Sequence, residues 1–438
     1  MKKTLRLILT VICLIAVTAL FASCDELINI LESSIITDPD TSNITPHSTA
    51  EPFCETAEEQ SEEETETEEP VQKPPEPFVD TFVPGNGVKT VYIDKNAKEP
   101  LRYFKNTLEN EAETAAYESL EAMLKSFDTA AKITKKISFE DVKPVCLKFS
   151  LDYPEFCYAK TSYHATGYTN NIDQVIFYGD NSKATAARMK NEVDNAVKKI
   201  IASIPDGSTD FEAELIIYDW LCDNVTYSLS AAEPYTMYGA LVNKECVCEG
   251  YAEAFQYICG KIGIKVITML GIADNSSVAE NHKWCAVQIG GKWYAVDPTW
   301  GADKEADRYL YFNNSAYLQS NHFPDDRISG LLPDMSSEDA SYFSYYGLQF
   351  DDNTFDETFL RALSHYKERF LSKSVTAKIL IRSKDGTAEK YADMINEEPE
   401  RITDLMRRFN YYSDRELVIY GEAEVVNGDT VVFTVCKI

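Results

Sequence analysis

The sequence predicts an α+β protein, because stretches with helical spacing of apolar residues are interspersed with short stretches in which apolar and polar residues alternate. Two features indicate this most directly. An apolar helical stripe begins at Cys248, and two alternating stretches meet at Gly290-Gly291, a dipeptide typical of a tight β-hairpin turn. At roughly 100–200 residues per domain, the 438 residues are enough for several domains.

The N-terminal segment indicates export. Three basic residues within the first six positions precede an uncharged, mostly apolar run over 7–22, which is short for a membrane span, so residues 1–23 are predicted to be a signal peptide. The run ends in Phe-Ala-Ser-Cys, which resembles the lipobox of bacterial lipoproteins. That resemblance implies that Cys24 is acylated and that the protein is lipid-anchored at the extracytoplasmic face of the cell membrane. An ordinary cleaved signal peptide, with Cys24 incidental, is the alternative.

Residues 24–88 are predicted to be a disordered acidic spacer. Positions 25 to 88 hold 17 acidic residues, one basic residue and 8 of the chain's 17 prolines. A segment of this composition can bury too little apolar surface to offset the loss of chain entropy on folding, and repulsion between its like charges extends it. The whole chain has 42 basic and 71 acidic residues, a formal charge of −29. A nucleic-acid partner is excluded on this basis, because its phosphates would be repelled.

Residues 89–205 are predicted to form an N-terminal α+β module in which no chemistry is visible. Residues 117–127 and 189–204 have helical spacing, and 174–178 predict a strand.

The central unit, residues 206–335, begins after a strong turn. Its predicted elements are a helix around 215–221 with Ser208 or Asp210 as its N-cap, a helix from Cys248 to Gly260, a strand over 265–271, a polar loop over 273–281, and the hairpin.

Residues 336–438 are predicted to form a small C-terminal α+β domain. It has a helix over 359–370, strands over 375–381, 417–426 and 430–436, and a turn at Asn427-Gly428. No catalytic grouping is recognisable in this domain, and accessory packing and ligand binding are equally open.

Cys248 is the first candidate for chemistry. It lies at the predicted start of a helix, where the peptide dipoles and unpaired N–H groups favour a thiolate over a thiol. The same N–H groups would stabilise an oxyanion formed when the sulfur attacks an acyl carbon. Gly250 is expected to allow close approach of another part of the backbone. Taken alone, such a cysteine is more often a buried small apolar residue.

The hairpin supplies the other two candidates. With Gly290-Gly291 as the turn, Ile289 pairs with Lys292, and the same register places His282 and Asp297 on one face as diagonal neighbours. A carboxylate there can orient an imidazole, which can exchange a proton with a thiol. His322 and His365 have no comparable setting in the sequence.

Three motifs together resemble the transglutaminase-like superfamily: Val247-Cys248-Glu249-Gly250-Tyr251-Ala252, His282-Lys283-Trp284 and Val296-Asp297-Pro298-Thr299-Trp300. The resemblance covers roughly residues 208–322. It implies a papain-like core in which a helix with an N-terminal cysteine packs on an antiparallel sheet. It also implies that Cys248 is the nucleophile, His282 the base and Asp297 the orienting acid.

Several alternatives stay open. Cys246 is a second candidate thiol, but it precedes the helix and lies outside the family motif. The irregular spacing of the central cysteines, without a Cys-x-x-Cys pair, makes a metal site improbable, and no cofactor is predicted. Several aromatic residues either line an acyl-acceptor cleft or belong to the core; they are Trp284, Trp293, Trp300, Tyr251 and Tyr294.

The predicted function is therefore acyl transfer through a cysteine thioester, by amide or peptide hydrolysis or by transamidation, on a protein or cell-wall peptide. The sequence does not separate hydrolysis from transamidation, because the same residues serve both. Two alternatives from other classes are a catalytically silent module that binds a cell-wall or protein ligand, and an extracellular scaffold assembled through disulfides.

Overall fold

The computed structural model describes residues 74–96, 99–179, 182–274, 278–302, 304–413 and 416–438. The predicted signal peptide, Cys24 and most of the predicted spacer lie outside the described residues, so these predictions are not tested. Among the described helices, none combines the length and apolar composition needed to cross a lipid bilayer.

The N-terminal module contains a three-stranded antiparallel sheet in the order β1-β3-β2. Its elements are α1 (Glu111–Lys125), β1 (Ala130–Lys132), α2 (Phe139–Asp152), β2 (Tyr163–Tyr168), β3 (Asn171–Phe177) and α3 (Lys183–Ser203). Apolar side chains of these elements form a core of their own around Tyr117 and Phe149. The predicted helices and strand are confirmed.

The central unit is built on a four-stranded antiparallel sheet in the order β8-β7-β6-β9. Its elements are α4 (Asp210–Asn224), β4 (Thr226–Tyr227), β5 (Glu245–Cys246), α5 (Cys248–Gly260), β6 (Lys265–Asp274), β7 (Ala279–Ile289), β8 (Lys292–Val296), α6 (Pro298–Gly301), α7 (Ser315–Asn321), β9 (His322–Pro324) and α8 (Asp326–Ser329). Helix α5 is buried along almost its whole length and packs on β6 and β7. This arrangement confirms the predicted α+β class.

Two predicted details of this unit are wrong. The N-cap of α4 is neither Ser208 nor Asp210 but Thr209, whose hydroxyl accepts from the Glu212 N–H while the Glu212 carboxylate accepts from the Thr209 N–H. This capping box satisfies two N–H groups that the first turn leaves unpaired. The predicted polar loop at 273–281 is shorter, because β6 and β7 pair out to Asp274 and Ala279.

The C-terminal part forms a second sheet in the order β10-β11-β14-β12, with β13 paired to β14. Its elements are α9 (Tyr342–Tyr345), β10 (Gln349–Phe350), α10 (Phe355–Tyr366), β11 (Thr376–Ser383), α11 (Ala388–Glu397), α12 (Pro399–Tyr411), β12 (Leu417–Ile419), β13 (Glu424–Val426) and β14 (Thr430–Lys437). The strand predicted over 417–426 is thus divided in two. The apolar core of the C-terminal part is continuous with that of the central unit. The predicted domain boundary between residues 335 and 336 stays a prediction.

The end of the predicted spacer contacts the C-terminal part. The Tyr412 hydroxyl donates to the Pro75 carbonyl at 2.6 Å, Arg361 pairs with Asp80 at 3.0 Å, and the Arg361 guanidinium lies over the Phe82 ring. The prediction of a disordered spacer up to residue 88 is therefore wrong for this stretch. In this stretch Phe78 packs against the core, Phe82 lies under the Arg361 guanidinium, and Asp80 is ion-paired.

Candidate active site

Helix α5 presents Cys248 at its first position. β5 pairs with β4 and leads into Val247, whose extended backbone makes it the N-cap residue of the helix. The next turn is tightly packed, because a Cβ on Gly250 would lie 2.5 Å from the Cys246 Cβ and 2.8 Å from the Thr236 carbonyl oxygen. Since a Cβ atom does not come this close to a non-bonded atom, the missing side chain of Gly250 permits the close approach that the sequence predicted.

The hairpin brings His282 and Asp297 together. Gly290 and Gly291 both have positive φ, 59° and 92°, and β7 pairs with β8 in the register that matches Ile289 with Lys292, as predicted. The His282 Nε2 lies 2.9 Å from the Asp297 Oδ2. The His282 side chain also lies close enough to Cys248 that the two interact, which lowers the pKa of the thiol and raises that of the imidazole. The structure thus brings the three predicted site residues into one contiguous set.

Asp297 is fully buried and has several hydrogen-bond donors around it. Besides His282, its carboxylate accepts from the backbone N–H groups of Thr299 and Trp300, at 2.8 and 3.3 Å, as the N-cap of α6. Burial alone raises the pKa of a carboxyl group, but the neighbouring imidazoles outweigh it and hold the pKa of Asp297 well below its usual range. Asp297 is therefore ionised at neutral pH.

A second histidine belongs to this site. His322 is buried, and its Nε2 lies 3.3 Å from the same Asp297 Oδ2 that His282 contacts. The expectation that His322 has no comparable setting is wrong. It starts β9, which reaches the site by pairing with β6. The half-buried His365 contacts the Tyr342 hydroxyl at 2.6 Å and is not part of the site.

The charges of His282 and Cys248 depend on burial and on each other. Burial disfavours the imidazolium form, but Asp297 outweighs it and raises the pKa of His282 to about 10. Burial also raises the pKa of the Cys248 thiol, and the interaction with His282 opposes this rise. Burial thus opposes the stabilisation of the thiolate that is expected from the helix N-terminus. Thiolate formation depends on the charged imidazole.

Charged and aromatic side chains surround the thiol. The half-buried Glu249 places its Oε2 3.1 Å from the Cys248 Sγ, and its charge disfavours the thiolate. Tyr227, 45% exposed, lies close enough for Cys248 and Glu249 to raise the pKa of its phenol further, beyond the rise due to burial. Leu229 and Tyr235, which follow in the same segment, are 67% and 57% exposed. The segment that includes Tyr227 thus presents exposed, partly apolar side chains.

A buried ion pair lies beside the set formed by Cys248, His282 and Asp297. The Lys283 Nζ is 2.9 Å from the Glu253 Oε1, and the other oxygen of Glu253 accepts from the Met237 N–H. Burial lowers the pKa of Lys283, but the neighbouring Glu253 raises it more. The pKa is therefore higher than usual, and the ammonium stays charged. Lys283 thereby ties the strand that carries His282 to the helix that carries Cys248.

The remaining candidates belong mostly to the core. Cys246 is fully buried, and burial raises the pKa of its thiol, which makes it a poor nucleophile. Tyr251, Tyr294 and Trp284 are buried, so they do not line an open cleft. Trp293 and Trp300 are partly buried against the core.

The site also contains a set of groups that could in principle hold a metal ion. Within the described part of the chain, His282, Asp297 and His322 place one potential ligand atom each within 4.8 Å of one another. Both imidazole contacts are at hydrogen-bond distance from the carboxylate, so hydrogen bonds alone explain the arrangement. The sequence-based prediction of no metal and no cofactor stays a prediction.

Comparison with known proteins identifies the class of this domain. Residues 198–298 match the family model of the transglutaminase-like superfamily. This range contains Cys248, His282 and Asp297. The chain therefore contains a transglutaminase-like domain, as the resemblance of its three motifs implied.

The individual relatives share little sequence identity with this chain. The chain is 22% identical to the kyphoscoliosis peptidase of Mus musculus over 253 residues, which are 52% of this chain and 37% of the relative. It is 23% identical to the kyphoscoliosis peptidase of Homo sapiens over 241 residues, 50% and 35% of the two chains. The match thus spans little more than a third of the length of these curated relatives. A solved structure of a TGase is similar at 8% identity and a TM-score of 0.24, over 39% of this chain and 50% of that chain.

Proposed function

We propose that this protein is a cysteine acyl transferase that cleaves or exchanges amide bonds through a thioester on Cys248. The observation that carries the proposal is the contiguous set in which Cys248 contacts His282 and His282 contacts Asp297 at 2.9 Å. A thiol, an imidazole and a carboxylate in this order are the groups that nucleophilic catalysis on an acyl carbon requires. The transglutaminase-like domain supports the same chemistry.

The proposed reaction has two steps. The Cys248 sulfur bonds to the acyl carbon, and the C–N bond breaks as the His282 imidazolium gives its proton to the leaving amine. Water or a second amine then attacks the thioester, His282 takes a proton from that attacker, and the thiolate leaves with the acyl group transferred. Asp297 keeps the imidazole oriented and stabilises its charged form. We expect backbone N–H groups at the start of α5 to donate to the oxyanion.

The proposed substrate is a protein or a cell-wall peptide. Tyr227 interacts with Cys248 and is exposed, as are Leu229 and Tyr235 in the same segment, and we propose that a peptide lies on these side chains. The basic start of the chain, its apolar run and Cys24 support the further proposal of a lipid-anchored protein at the extracytoplasmic face of the membrane, with the membrane as partner through the anchor.

Alkylation tests the state of the thiol without knowledge of the substrate. We expect iodoacetamide to modify Cys248 faster than the half-buried Cys436, and His282→Ala to slow modification of Cys248 by about tenfold or more at pH 7. The sign follows from the contact, since removal of the imidazole raises the thiol pKa further and lowers the thiolate fraction. Peptide mapping by mass spectrometry measures both sites in one sample. Equal, slow modification of both cysteines, or no change in His282→Ala, would contradict the proposal.

A peptide library separates hydrolysis from transamidation. We expect hydrolysis products without an added amine, because Cys248 retains 6% of its exposure and water can therefore reach the thioester. Mass spectra of libraries incubated with and without a primary amine distinguish the two: hydrolysis shows cleaved peptides in both, and transamidation shows amine adducts only in the second. Cys248→Ser is the control.

One observation favours a second candidate function, ligand binding without turnover. Burial raises the pKa of the Cys248 thiol, which opposes nucleophilic reactivity. If Cys248→Ser left both the cellular phenotype and ligand binding unchanged, the silent module would replace the acyl transferase.

A further inference from the structure

We infer that His322 is a positioning residue of this site: it holds the Asp297 carboxylate in the orientation from which Asp297 directs the His282 imidazole toward Cys248. This inference rests on the proposed function and adds a residue to it. His322 lies outside the three motifs and outside the part of the chain that the family model matches. It acts through Asp297, because its ring contacts the carboxylate rather than the thiol.

The contacts of the Asp297 carboxylate carry the argument. One oxygen, Oδ2, lies 2.9 Å from the His282 Nε2 and 3.3 Å from the His322 Nε2, while Oδ1 accepts from the N–H groups of Thr299 and Trp300. With donors on both oxygens, rotation of the carboxylate would break at least two hydrogen bonds. Without His322, the Oδ2 would be held only by His282, the group it must orient.

The proton needed for this contact is on the His322 Nε2. Its Nδ1 is within hydrogen-bond distance of the Asn321 side-chain amide. With the Asn321 amide turned so that its NH2 group faces the ring, Nδ1 accepts a hydrogen bond and the neutral ring carries its hydrogen on Nε2. In this tautomer Nε2 donates to Asp297.

The His322 ring itself is fixed by packing. Its centroid lies 4.5 Å from the Trp300 ring and 5.0 Å from the Trp284 ring, both in edge-on geometry. β9 is held close to β6 because Gly271 has no side chain, and a Cβ there would lie 2.1 Å from the Phe323 carbonyl oxygen. A fixed donor can hold the carboxylate, whereas a mobile one cannot.

The test compares His322→Phe with His322→Gln. Phenylalanine retains a ring between the two tryptophans but removes the donor, and glutamine can restore an N–H near the position of Nε2. We expect His322→Phe to slow iodoacetamide modification of Cys248 at pH 7 by about tenfold, the change that one pKa unit produces in the thiolate fraction, and to move the pH profile of modification upward. His322→Gln is expected to react within about threefold of the original protein. The exposed His164 on β2 supplies the matched control, His164→Phe, which is expected to change nothing.

The pH profile of Cys248 modification reports on His282 and Cys248, because the neighbouring thiols and phenols do not change their charge in the range measured. Burial raises the pKa of each neighbouring thiol and phenol, so these stay neutral between about pH 5 and 8. The groups facing Asp297 are Tyr218 and Cys222 on α4, Cys285 on β7, and Tyr311 before α7. The groups facing Cys248 are Glu249 on α5, Tyr227 on β4, Cys246 on β5 and the charged Lys283 on β7.

Each outcome has one meaning. A slow His322→Phe with a fast His322→Gln supports the inference. Unchanged reactivity in His322→Phe overturns it, and so does equal slowing in both variants with a lower melting temperature, which indicates a purely structural role. If Cys248 of the original protein shows no selective modification, the proposed function fails first. Selective modification that is lost in His282→Ala but unchanged in His322→Phe refutes the inference alone.

Discussion

Replacement of Asp297 by alanine is expected to lower the free energy of unfolding by about 3–5 kcal/mol, the range measured when one partner of a buried ion pair is removed. The change deletes a fully buried carboxylate that caps α6 and contacts two imidazoles. His282 and His322 would remain buried without their acceptor. Urea unfolding followed by circular dichroism measures the loss.

The pH dependence of this loss follows from the two shifted pKa values. His282 has a folded pKa raised to about 10, so its contribution is complete below the ordinary imidazole pKa and is lost as the pH rises toward 10. Asp297 has a lowered pKa, so its contribution is present above the ordinary carboxyl pKa and is lost on acidification. The difference between the original protein and Asp297→Ala is therefore expected to be largest between about pH 4 and 6.5.

Asp297→Asn is the matched control. Asparagine keeps an oxygen that can cap α6 but has no charge, so we expect it to lose less stability than alanine and still to slow modification of Cys248. If Asp297→Ala unfolded at the same urea concentration as the original protein at pH 6, Asp297 would not have the buried contacts described above.

Replacement of Lys283 by methionine is expected to cost about 3 kcal/mol or more, because it leaves the Glu253 carboxylate buried without its cation. Burial already raises the pKa of Glu253, and loss of Lys283 raises it further. A carboxyl group with a raised folded pKa reduces stability increasingly as the pH rises above its unfolded pKa. The loss in Lys283→Met is therefore expected to be greater at pH 8 than at pH 5, as measured by urea unfolding at both values.

Two further variants make this test specific. In Lys283→Met combined with Glu253→Gln, the glutamine oxygen can still accept from the Met237 N–H, and we expect at least half of the lost stability to return. Lys292→Met breaks an ion pair of similar length, 2.7 Å to Asp339, whose side chains are 54% and 29% exposed. We expect it to cost less than about 1 kcal/mol. Equal losses for Lys283→Met and Lys292→Met would show that burial of the first pair has no energetic consequence.

The site was predictable from the sequence where its geometry is local. The glycine pair at 290–291 defines a two-residue turn, and the period-2 alternation of a strand then places His282 and Asp297 on one face. The start of α5 at Cys248 was predictable in the same way from the apolar stripe that follows it. By contrast, the N-cap Thr209 lies between the two predicted residues, a displacement of one position that side-chain hydrogen bonding decided.

The contact between His322 and Asp297 could not be predicted from the sequence. It lies 25 residues after Asp297, and the two meet only because β9 pairs with β6, the strand before the hairpin in the chain. No spacing rule relates a three-residue strand to a partner about 50 residues earlier. The neighbouring Asn-His-Phe-Pro sequence carries no pattern typical of a site.

The sequence by itself determined the α+β class, the helix that begins at Cys248, the hairpin register and the candidate residues Cys248, His282 and Asp297, because turns, helix starts and strand alternation depend on neighbouring residues. Only the tertiary structure decided that a second imidazole shares the Asp297 oxygen and that Lys283 is paired with Glu253. It also decided that burial raises the pKa of the Cys248 thiol against the effect of the helix N-terminus. These features depend on which distant segments surround a group and exclude water from it, and the surroundings of a residue are set by the packing of the whole fold.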